Sequence, residues 1–379
     1  MPWNEVSIMG QREEFVGLAG QPDRNIRLLC RRFQISPTTG YNLLRRCGER
    51  GREGLLDESR RPHHSPRRCS PVIEEAVLDL RDQHPAWGAR KLRRRLLDTG
   101  VVGLPSPSTV HQILLRHGRV DAQESLKHRA FQRFEHPAPN LLWQMDFKGH
   151  FATDTARCHP LTVLDDHSRF ALGLQACPDQ RTQTVQQQLS SIFRLYGLPE
   201  RITMDNGSPW GGNSDHRFTP LTAWLIRLDV RVSHSRPYHP QTQGKDERFH
   251  RTLGDELLKR RAFADLCDTQ QAFDQWRHLY NFQRPHDSLG LAVPASRYQP
   301  SARAFPEALP PVLYQPSDHV RKVQQRGEIW FKNHPFNIGN AFYGQHVALR
   351  PSLIDGIYDV FFCTQNIAQI NLISPQLPS

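Results

Sequence analysis

Three acidic residues of this chain lie in short motifs that favour a common chemical role. Asp146 is in the motif WQMDFKG, Asp205 is in ITMDNGS, and Glu247 is in the longer motif PQTQGKDERFHR. Three carboxylates gathered at one point can bind hard divalent cations such as Mg²⁺ or Mn²⁺, which prefer oxygen ligands and leave positions open for phosphate. Two such ions about 3.5–4 Å apart would hold the attacking and leaving oxygens of an in-line phosphoryl displacement. The motifs therefore predict that these three residues are catalytic and bind two metal ions.

The secondary-structure pattern predicts how the fold would bring the three acids together. Asp146 and Asp205 come at or near the ends of predicted strands, and strand ends of α/β sheets converge on one rim where ligands bind. Glu247 lies on a helix predicted over 243–261, whose apolar stripe begins at Phe249. Glu247 is expected away from that stripe, in a cleft that receives DNA. Three basic neighbours on the same helix are predicted to bind DNA phosphates: Lys245, Arg248 and Arg251.

Each acid taken alone is more simply a solvated surface carboxylate, and other acids compete for the same role. Asp246 lies about 100° round the helix from Glu247, so the two side chains cannot point the same way. Asp165 and Asp166 stand in the sequence DDHSR, which is typical of a turn between strands. Contact of this pair with metal or substrate is the alternative interpretation.

The first 120 residues contain one pattern twice, at an offset of 70 residues. The segment 36–48, SPTTGYNLLRRCG, aligns with 106–118, SPSTVHQILLRHG. Ser can cap each helix, Pro suits the first helical position, and a Gly follows the last turn. Helical stretches rich in Arg and Leu precede both copies, at 26–33 and 89–97, which is the layout of a helix-turn-helix. The alternative is a pair of small helical bundles with solvated Arg faces.

Residues on the second helix of each unit are predicted to face DNA. They are Thr38, Thr39, Tyr41, Asn42 and Arg45 in the first unit, and Ser108, Thr109, His111, Gln112 and Arg116 in the second. A basic linker, residues 58–69, would follow a phosphate backbone. Its predicted DNA contacts are Arg60, Arg61, Arg67 and Arg68.

These patterns predict a multidomain chain with three kinds of architecture. The all-α tandem helix-turn-helix region comprises domains at 1–57 and 70–120, and a second linker covers 121–139. A mixed α/β core is expected over 140–304, with strands at 141–151 and 201–204 and helices at 182–196, 243–261 and 272–282. The second of these strands is expected to end in a sharp turn at Asn206 and Gly207. Over 305–379, short apolar segments separated by turns are typical of a small β-barrel, at 319–323, 328–331, 346–350, 358–362 and 367–372.

Composition supports a polyanionic partner. The chain has 379 residues, a formal net charge of +11 and a pI near 9.6, and a basic surface attracts phosphate. The seven cysteines are scattered without a C-x-x-C pair, which argues for a reducing compartment and against a structural zinc site. No apolar run approaches the length of a membrane span, and no signal pattern begins the chain. We therefore expect a cytoplasmic protein that does not bind membranes.

Residues 130–300 resemble the catalytic core of the DDE transposases of insertion sequences, the branch similar to retroviral integrases. The resemblance rests on WQMDFKG, DNGS, HPQTQGKDERFHRTL, and a tail of the form W-x-x-x-Y-N-x-x-R-P-H-x-x-L at 276–289. It implies an RNase H-like fold in which Asp146 bridges two ions and Asp205 and Glu247 each complete one. It also implies a bacterial, nucleoid-associated protein that acts as a dimer or higher homo-oligomer on double-stranded DNA. The C-terminal region resembles the DNA-binding barrel of integrases.

The resemblance implies a reaction in two steps on the terminal inverted repeats of an element. Hydrolysis at the element's end leaves a 3′-hydroxyl, and that hydroxyl then attacks a target strand, so no protein nucleophile is needed. Six residues of this tail are expected to pack and clamp: Trp276, Tyr280, Asn281, Arg284, Pro285 and His286. The 41 residues between Asp205 and Glu247 exceed the family's usual spacing, which predicts an insertion around 210–216. No match to the zinc module of retroviral integrases is found.

Two other functions fit parts of the sequence. A DNA-binding regulator with an inactive core would keep the helix-turn-helix units, although the intact acidic trio argues against it. An RNase H-type nuclease would keep the acids, although two major-groove-reading units argue against that.

Overall fold

The computed structural model describes residues 7–58, 69–120, 135–211, 218–234 and 244–373. The chain divides into two compact units, Met1–Arg68 and Cys69–Ser379. None of the helices in the described ranges combines the length and the apolar character that a membrane crossing requires.

In its described residues, 7–58, the first unit has three α-helices: α1 (Ile8–Ala19), α2 (Ile26–Arg32) and α3 (Pro37–Arg50). They pack round Phe15, Leu29 and Cys30. Ser36 caps α3 as predicted, because its hydroxyl accepts a hydrogen bond from the backbone N–H of Thr39 at 3.1 Å. The expectation that Gly48 ends this helix is wrong.

Helix α3 continues to Arg50 and ends at Gly51, whose φ is +61°. The 3₁₀ turn that follows, Gly51–Leu55, packs back on the helix so closely that a Cβ on Gly54 would lie 2.2 Å from the carbonyl oxygen of Arg46. This contact, between residues eight apart in the chain, packs the turn against the part of α3 that extends past Gly48.

The second unit begins with α4 (Pro71–Gln83), α5 (Ala89–Asp98) and α6 (Pro107–Arg116). Their core is formed by Val77, Trp87, Leu92, Val110 and Ile113, among others. Ser106 caps α6, and Gly118 follows its last turn with a φ of +67°, both as predicted. Helix α5, the connecting turn and α6 therefore have the helix-turn-helix layout.

The core of the second unit is a six-stranded mixed sheet. Its strands are β1 (Trp143–Phe147), β2 (Phe151–Ala152), β3 (Arg157–Asp165), β4 (Ala171–Cys177), β5 (Arg201–Met204) and β6 (Arg231–His234). Strand β3 pairs antiparallel with β1, β2 and β4, while β1, β5 and β6 run parallel. The described part of the core also contains the helices α7 (Thr182–Tyr196), α8 (Pro220–Arg227), α9 (Gly244–Leu253) and α10 (Leu266–Phe282).

Helices cover both faces of this sheet. Trp143, Met145 and Phe147 of β1 share one apolar cluster with buried residues of α7 and α8. Phe249 and Leu253 of α9 pack with residues of α10, β3 and β4 in a second cluster. Because alternate strand residues point to opposite faces, the even-numbered residues of β1, including Asp146, lie on the face that α9 covers.

Some element boundaries differ from the prediction. The strand predicted over 141–151 is interrupted after Phe147, where Gly149 turns the chain with a φ of +69°. The helix predicted over 243–261 is α-helical only to Leu253 and continues as a π-helical turn, Gly254–Leu258. Helix α10 begins at Leu266, before the predicted start, because Asp265 caps it.

The C-terminal region forms two sheets. Its strands are β7 (His319–Lys322), β8 (Glu328–Phe331), β9 (His334–Asn337), β10 (His346–Pro351), β11 (Ile357–Phe362) and β12 (Gln365–Asn371). The order β12-β11-β10-β7 gives one sheet, and β8 pairs only with β9. The predicted β-barrel is not confirmed, since the described strands do not close into a ring. Strand β9 was not predicted because its pairing depends on the tight turn at Lys332 and Asn333, both with positive φ.

Candidate active site

Asp146 and Asp205 lie at the ends of two adjacent parallel strands. In the β1–β5 pairing, Trp143 is opposite Ile202 and Gln144 is opposite Thr203. The same register, continued by two residues, puts Asp146 opposite Asp205 on the same face of the sheet. Burial raises the pKa of Asp146 to about 6, and the negative charge of Asp205 also raises it, against a hydrogen bond from the N–H of Phe147. The two carboxylates are therefore electrostatically coupled neighbours.

Helix α9 presents two acids in different surroundings. Glu247 is exposed, whereas Asp246 is 1% exposed and neither of its carboxylate oxygens has a hydrogen-bond partner among the described residues. Burial raises the pKa of Asp246 well above its usual value, and the charges of Asp146, Asp166 and Glu247 add to that effect. The two side chains do point differently, as expected. The acid nearer the sheet is Asp246, which lies three residues before the buried Phe249.

A hydrogen-bonded chain connects α9 to the strand that carries Asp146. Thr162 is the antiparallel partner of Asp146, and its hydroxyl donates to the carbonyl oxygen of Asp146 at 2.9 Å. The Nε2 of His250 lies 2.8 Å from the same hydroxyl oxygen and must therefore donate to it. Burial lowers the pKa of His250 to about 4, so its ring is neutral at physiological pH. This contact fixes α9 over the end of β1.

Lys245 forms an internal ion pair on this face. Its ammonium pairs with Asp166, whose side chain is buried. The Asp166 carboxylate also accepts hydrogen bonds from the Gln144 side chain and from the backbone N–H of His136, each at 2.9 Å. The adjacent Asp165 accepts three more, from the N–H of Asn140 and from the N–H and hydroxyl of Ser168. Both acids of the DDHSR sequence are thus satisfied at the turn between β3 and β4.

Lys148 is a residue that the motif spacing did not single out. Its backbone N–H donates to the carbonyl oxygen of Pro160 at 3.0 Å, which extends the β1–β3 ladder past Phe147. Its side chain therefore leaves the sheet on the same face as Asp146, two residues earlier. The sequence could have indicated Lys148, because it lies two residues after Asp146 in the predicted strand and residues i and i+2 of a strand share a face.

Two basic residues predicted to bind DNA, Arg248 and Arg251, are exposed on the same outward side of α9 as Glu247. The segment that precedes this helix, 235–243, includes the start of the third motif and lies outside the described residues. So does most of the predicted insertion around 210–216.

The tail residues of the core form a packed and largely buried network. The Glu256 carboxylate accepts hydrogen bonds from the guanidinium of Arg284 at 2.8 Å and from the indole of Trp276 at 3.2 Å. The Asn281 side chain bonds both the N–H and the carbonyl of Ala171 in β4. Tyr280 and His286 are buried in edge-on contact. The predicted packing role agrees with this arrangement.

The residues predicted to face DNA from the helix-turn-helix units are exposed. They are Thr38, Thr39, Tyr41, Asn42 and Arg45 of α3, and Ser108, Thr109, His111, Gln112 and Arg116 of α6. Thr39 and Thr109 also hydrogen-bond the capping serines through their hydroxyls, at 2.8 and 3.1 Å. Arg116 pairs with Glu74 at 2.7 Å. Arg60, Arg61, Arg67 and Arg68 lie outside the described residues.

The donor set fits a hard divalent cation. Carboxylates are the ligands that Mg²⁺ and Mn²⁺ prefer, and both oxygens of the buried Asp246 on this face lack a hydrogen-bond partner among the described residues. As the described residues stand, no group of three or more His, Cys, Asp or Glu side chains is close enough to hold a metal ion. Binding would therefore require movement of the α9 acid toward Asp146 and Asp205.

Models of known protein families match five stretches of the chain. Two integrase core domain models match 136–240 and 228–294. A helix-turn-helix domain model matches 11–63 and a homeodomain-like domain model matches 39–114. The C-terminal domain of IS481 family transposases matches 318–376. With the mixed sheet and the tandem helix-turn-helix units, these matches define a DNA-binding protein with an integrase-type, RNase H-like core.

The relatives found are consistent with these domains. An uncharacterized 39.2 kDa protein of insertion element IS476 from Xanthomonas euvesicatoria is 24% identical over 278 residues, which are 69% of this chain and 75% of that protein. A 31.7 kDa protein of IS407 from Burkholderia multivorans is 26% identical over 47% of this chain and 61% of its own length. Together, the domain matches and these relatives support an insertion-sequence DDE transposase with an integrase-type core.

Solved structures that match include a simian T-cell lymphotropic virus intasome in complex with the PP2A regulatory subunit B56 gamma. That match has 14% identity and a TM-score of 0.39, and it covers 78% of this chain and 95% of the other. The HTLV-2 integrase catalytic core domain in complex with magnesium has 15% identity and a TM-score of 0.33, covering 43% and 99% of the two chains.

Proposed function

We propose that the chain binds the terminal inverted repeats of its own insertion element, cleaves at the element's 3′ ends and joins those ends to target DNA by transesterification. Asp146, Asp205 and Glu247 are the catalytic residues in this proposal. The observation that supports it most is the register of β1 and β5, which sets Asp146 beside Asp205 under the helix that carries Glu247.

Asp146, Asp205 and Glu247 would together hold two Mg²⁺ or Mn²⁺ ions. Such ions supply Lewis acidity for the phosphodiester and for the attacking hydroxyl. With a pKa of about 6, Asp146 is mostly ionised at neutral pH and available as a ligand. The neutral His250, through Thr162, holds α9 against β1, the strand that carries Asp146.

DNA recognition is assigned to the exposed faces of α3 and α6. The side chains of Tyr41, Asn42 and Arg45 in one unit and of His111 and Gln112 in the other can donate or accept at base edges in the major groove. Joining two ends requires that both are held together, so a dimer or higher assembly on DNA belongs to this proposal.

The test is an Asp205→Asn variant assayed on duplexes copied from the two borders of the reading frame. We expect strand cleavage and joining to fall at least about a hundredfold while end binding changes little, because the charge is lost without a change of shape. Asp154→Asn, an exposed acid in the turn between β2 and β3, is the matched control and should keep wild-type activity. Unchanged strand cleavage by the Asp205→Asn variant would contradict the proposed mechanism.

A catalytically inactive DNA-binding regulator derived from a transposase is the second candidate. The observation in its favour is that the described acids do not form a ready three-ligand cluster. Nicking of end-bearing DNA that depends on added Mg²⁺ or Mn²⁺ separates the two, since a regulator would bind the ends without cutting them.

A further inference from the structure

Lys148 occupies a defined place beside the candidate active site. The β1–β3 register pairs Asp146 with Thr162 and Phe147 with Leu161, and the Lys148–Pro160 hydrogen bond continues it by one residue. The Lys148 Cα is thus about 7 Å along the chain from that of Asp146, on the same face of the sheet.

The end of α9 lies against the Lys148 side chain. A Cβ on Gly254 would be 3.8 Å from both Cε and Nζ of Lys148, so the absence of a side chain there leaves room for the ammonium. The positive charge also contributes to the low pKa of His250, one turn earlier on the helix. The ammonium is therefore between the end of the catalytic strand and the end of the helix that carries Glu247.

The charge of Lys148 is not neutralised within the described part of the chain. The side chain is partly buried, and it makes no ion pair with any described carboxylate. Asp255, whose charge raises the pKa of Lys148, is itself paired with Lys259 at 2.6 Å. Lys245, at the other end of the same face, is paired with Asp166. A half-buried cation without a counter-ion is costly unless an anion from outside supplies one.

We infer that Lys148 binds a backbone phosphate of the DNA strand at the cleavage position, an inference that rests on the proposed function of the same site. The metal ions would bring the phosphodiester to Asp146, and the Lys148 ammonium would then contact a phosphate oxygen at this rim. Lys148 would thereby bind the DNA backbone in the way that the sequence motif predicted for Lys245.

The experiment compares Lys148→Gln, which removes the charge and keeps most of the stem, with Lys148→Arg, which keeps the charge. Lys259→Gln is the matched control, because it removes an exposed cation of the same rim that already has a partner. Binding to duplexes copied from the borders of the reading frame is measured against salt concentration in Ca²⁺, and joining is measured in Mg²⁺.

We expect Lys148→Gln to lower the slope of log K against log salt concentration by about 0.9, the value for one lost phosphate contact. Joining should fall about 10- to 100-fold, as for a lost charged hydrogen bond. Lys148→Arg and Lys259→Gln should keep the wild-type slope.

The inference is overturned if Lys148→Gln keeps the wild-type slope of log K against log salt concentration. It is also overturned if the variant loses joining and the only other change is a lower melting temperature. If the wild-type chain joins no DNA in Mg²⁺, the proposed function fails by itself. The salt slope still decides the phosphate contact in that case, because it needs no chemistry.

Discussion

Replacing Asp146 by Asn should stabilise the metal-free protein, and the gain should grow as the pH rises. The pKa of Asp146 is raised to about 6 from 3.8, chiefly because burial disfavours the charged form. A carboxyl whose pKa is higher in the folded state binds its proton more tightly there than in the unfolded chain. The contribution of this carboxyl group to the free energy of unfolding is therefore fully present below pH 3.8, and it is lost as the pH rises toward 6. Asn has the same shape but no charge to desolvate.

The expected size follows from the two pKa values. A difference of 6 − 3.8 corresponds to about 3 kcal/mol at 1.36 kcal/mol per pH unit. At pH 4.5 the Asp146 carboxyl is already partly ionised in the unfolded chain. Roughly 2 kcal/mol of the stability contribution is therefore lost between pH 4.5 and pH 8. The pKa of Asp246 is raised partly by the charge of Asp146, so its response to the substitution has the same sign.

Denaturant unfolding of the wild type and Asp146→Asn in EDTA measures this effect at the two pH values. The stability difference in favour of the Asn variant should increase by about 2 kcal/mol from pH 4.5 to pH 8. Asp154→Asn, which removes an exposed acid, should follow the wild type. A difference that stays constant with pH, or that favours the wild type at pH 8, would refute the burial of the Asp146 charge.

Four other substitutions test the packing, the helix cap and the roles of the acids. Glu256→Gln should destabilise the core by about 3–5 kcal/mol in denaturant unfolding, because it leaves the buried Arg284 guanidinium without its counter-charge; a loss below 1 kcal/mol would contradict this. Ser106→Ala should cost about 1 kcal/mol by loss of the α6 cap. Glu247→Gln should reduce joining at least about a hundredfold, whereas Asp246→Asn should keep most of it; the reverse result would exchange their roles.

Local sequence patterns predicted the elements whose signals are short-range. Helix α7 has the predicted bounds because Val185, Leu189 and Phe193 recur at helical spacing and Gly197 follows with positive φ. Strand β5 ends next to Asp205, as the Asp-Asn-Gly turn indicated. The predicted positions of the first two acids thus depended on signals within a few residues.

The features that escaped prediction depend on partners outside the helix that carries them. Lys245 was expected to face DNA, but its ammonium pairs with Asp166, 79 residues earlier in the chain. The length of α3 depends on the return of Gly54 to Arg46. Asp246 is a different case, because its spacing of three residues before Phe249 already put it on the buried stripe of α9.

Anomalous diffraction from crystals grown with Mn²⁺ shows whether the side chains of Asp146, Asp205 and Glu247 share divalent metal ions. We expect Mn²⁺ peaks between these three carboxylates, and their loss in crystals of Asp205→Asn. Mn²⁺ bound away from Asp146 and Asp205, or a Glu247 carboxylate that stays out of reach of Mn²⁺ bound to these two residues, would refute shared metal binding.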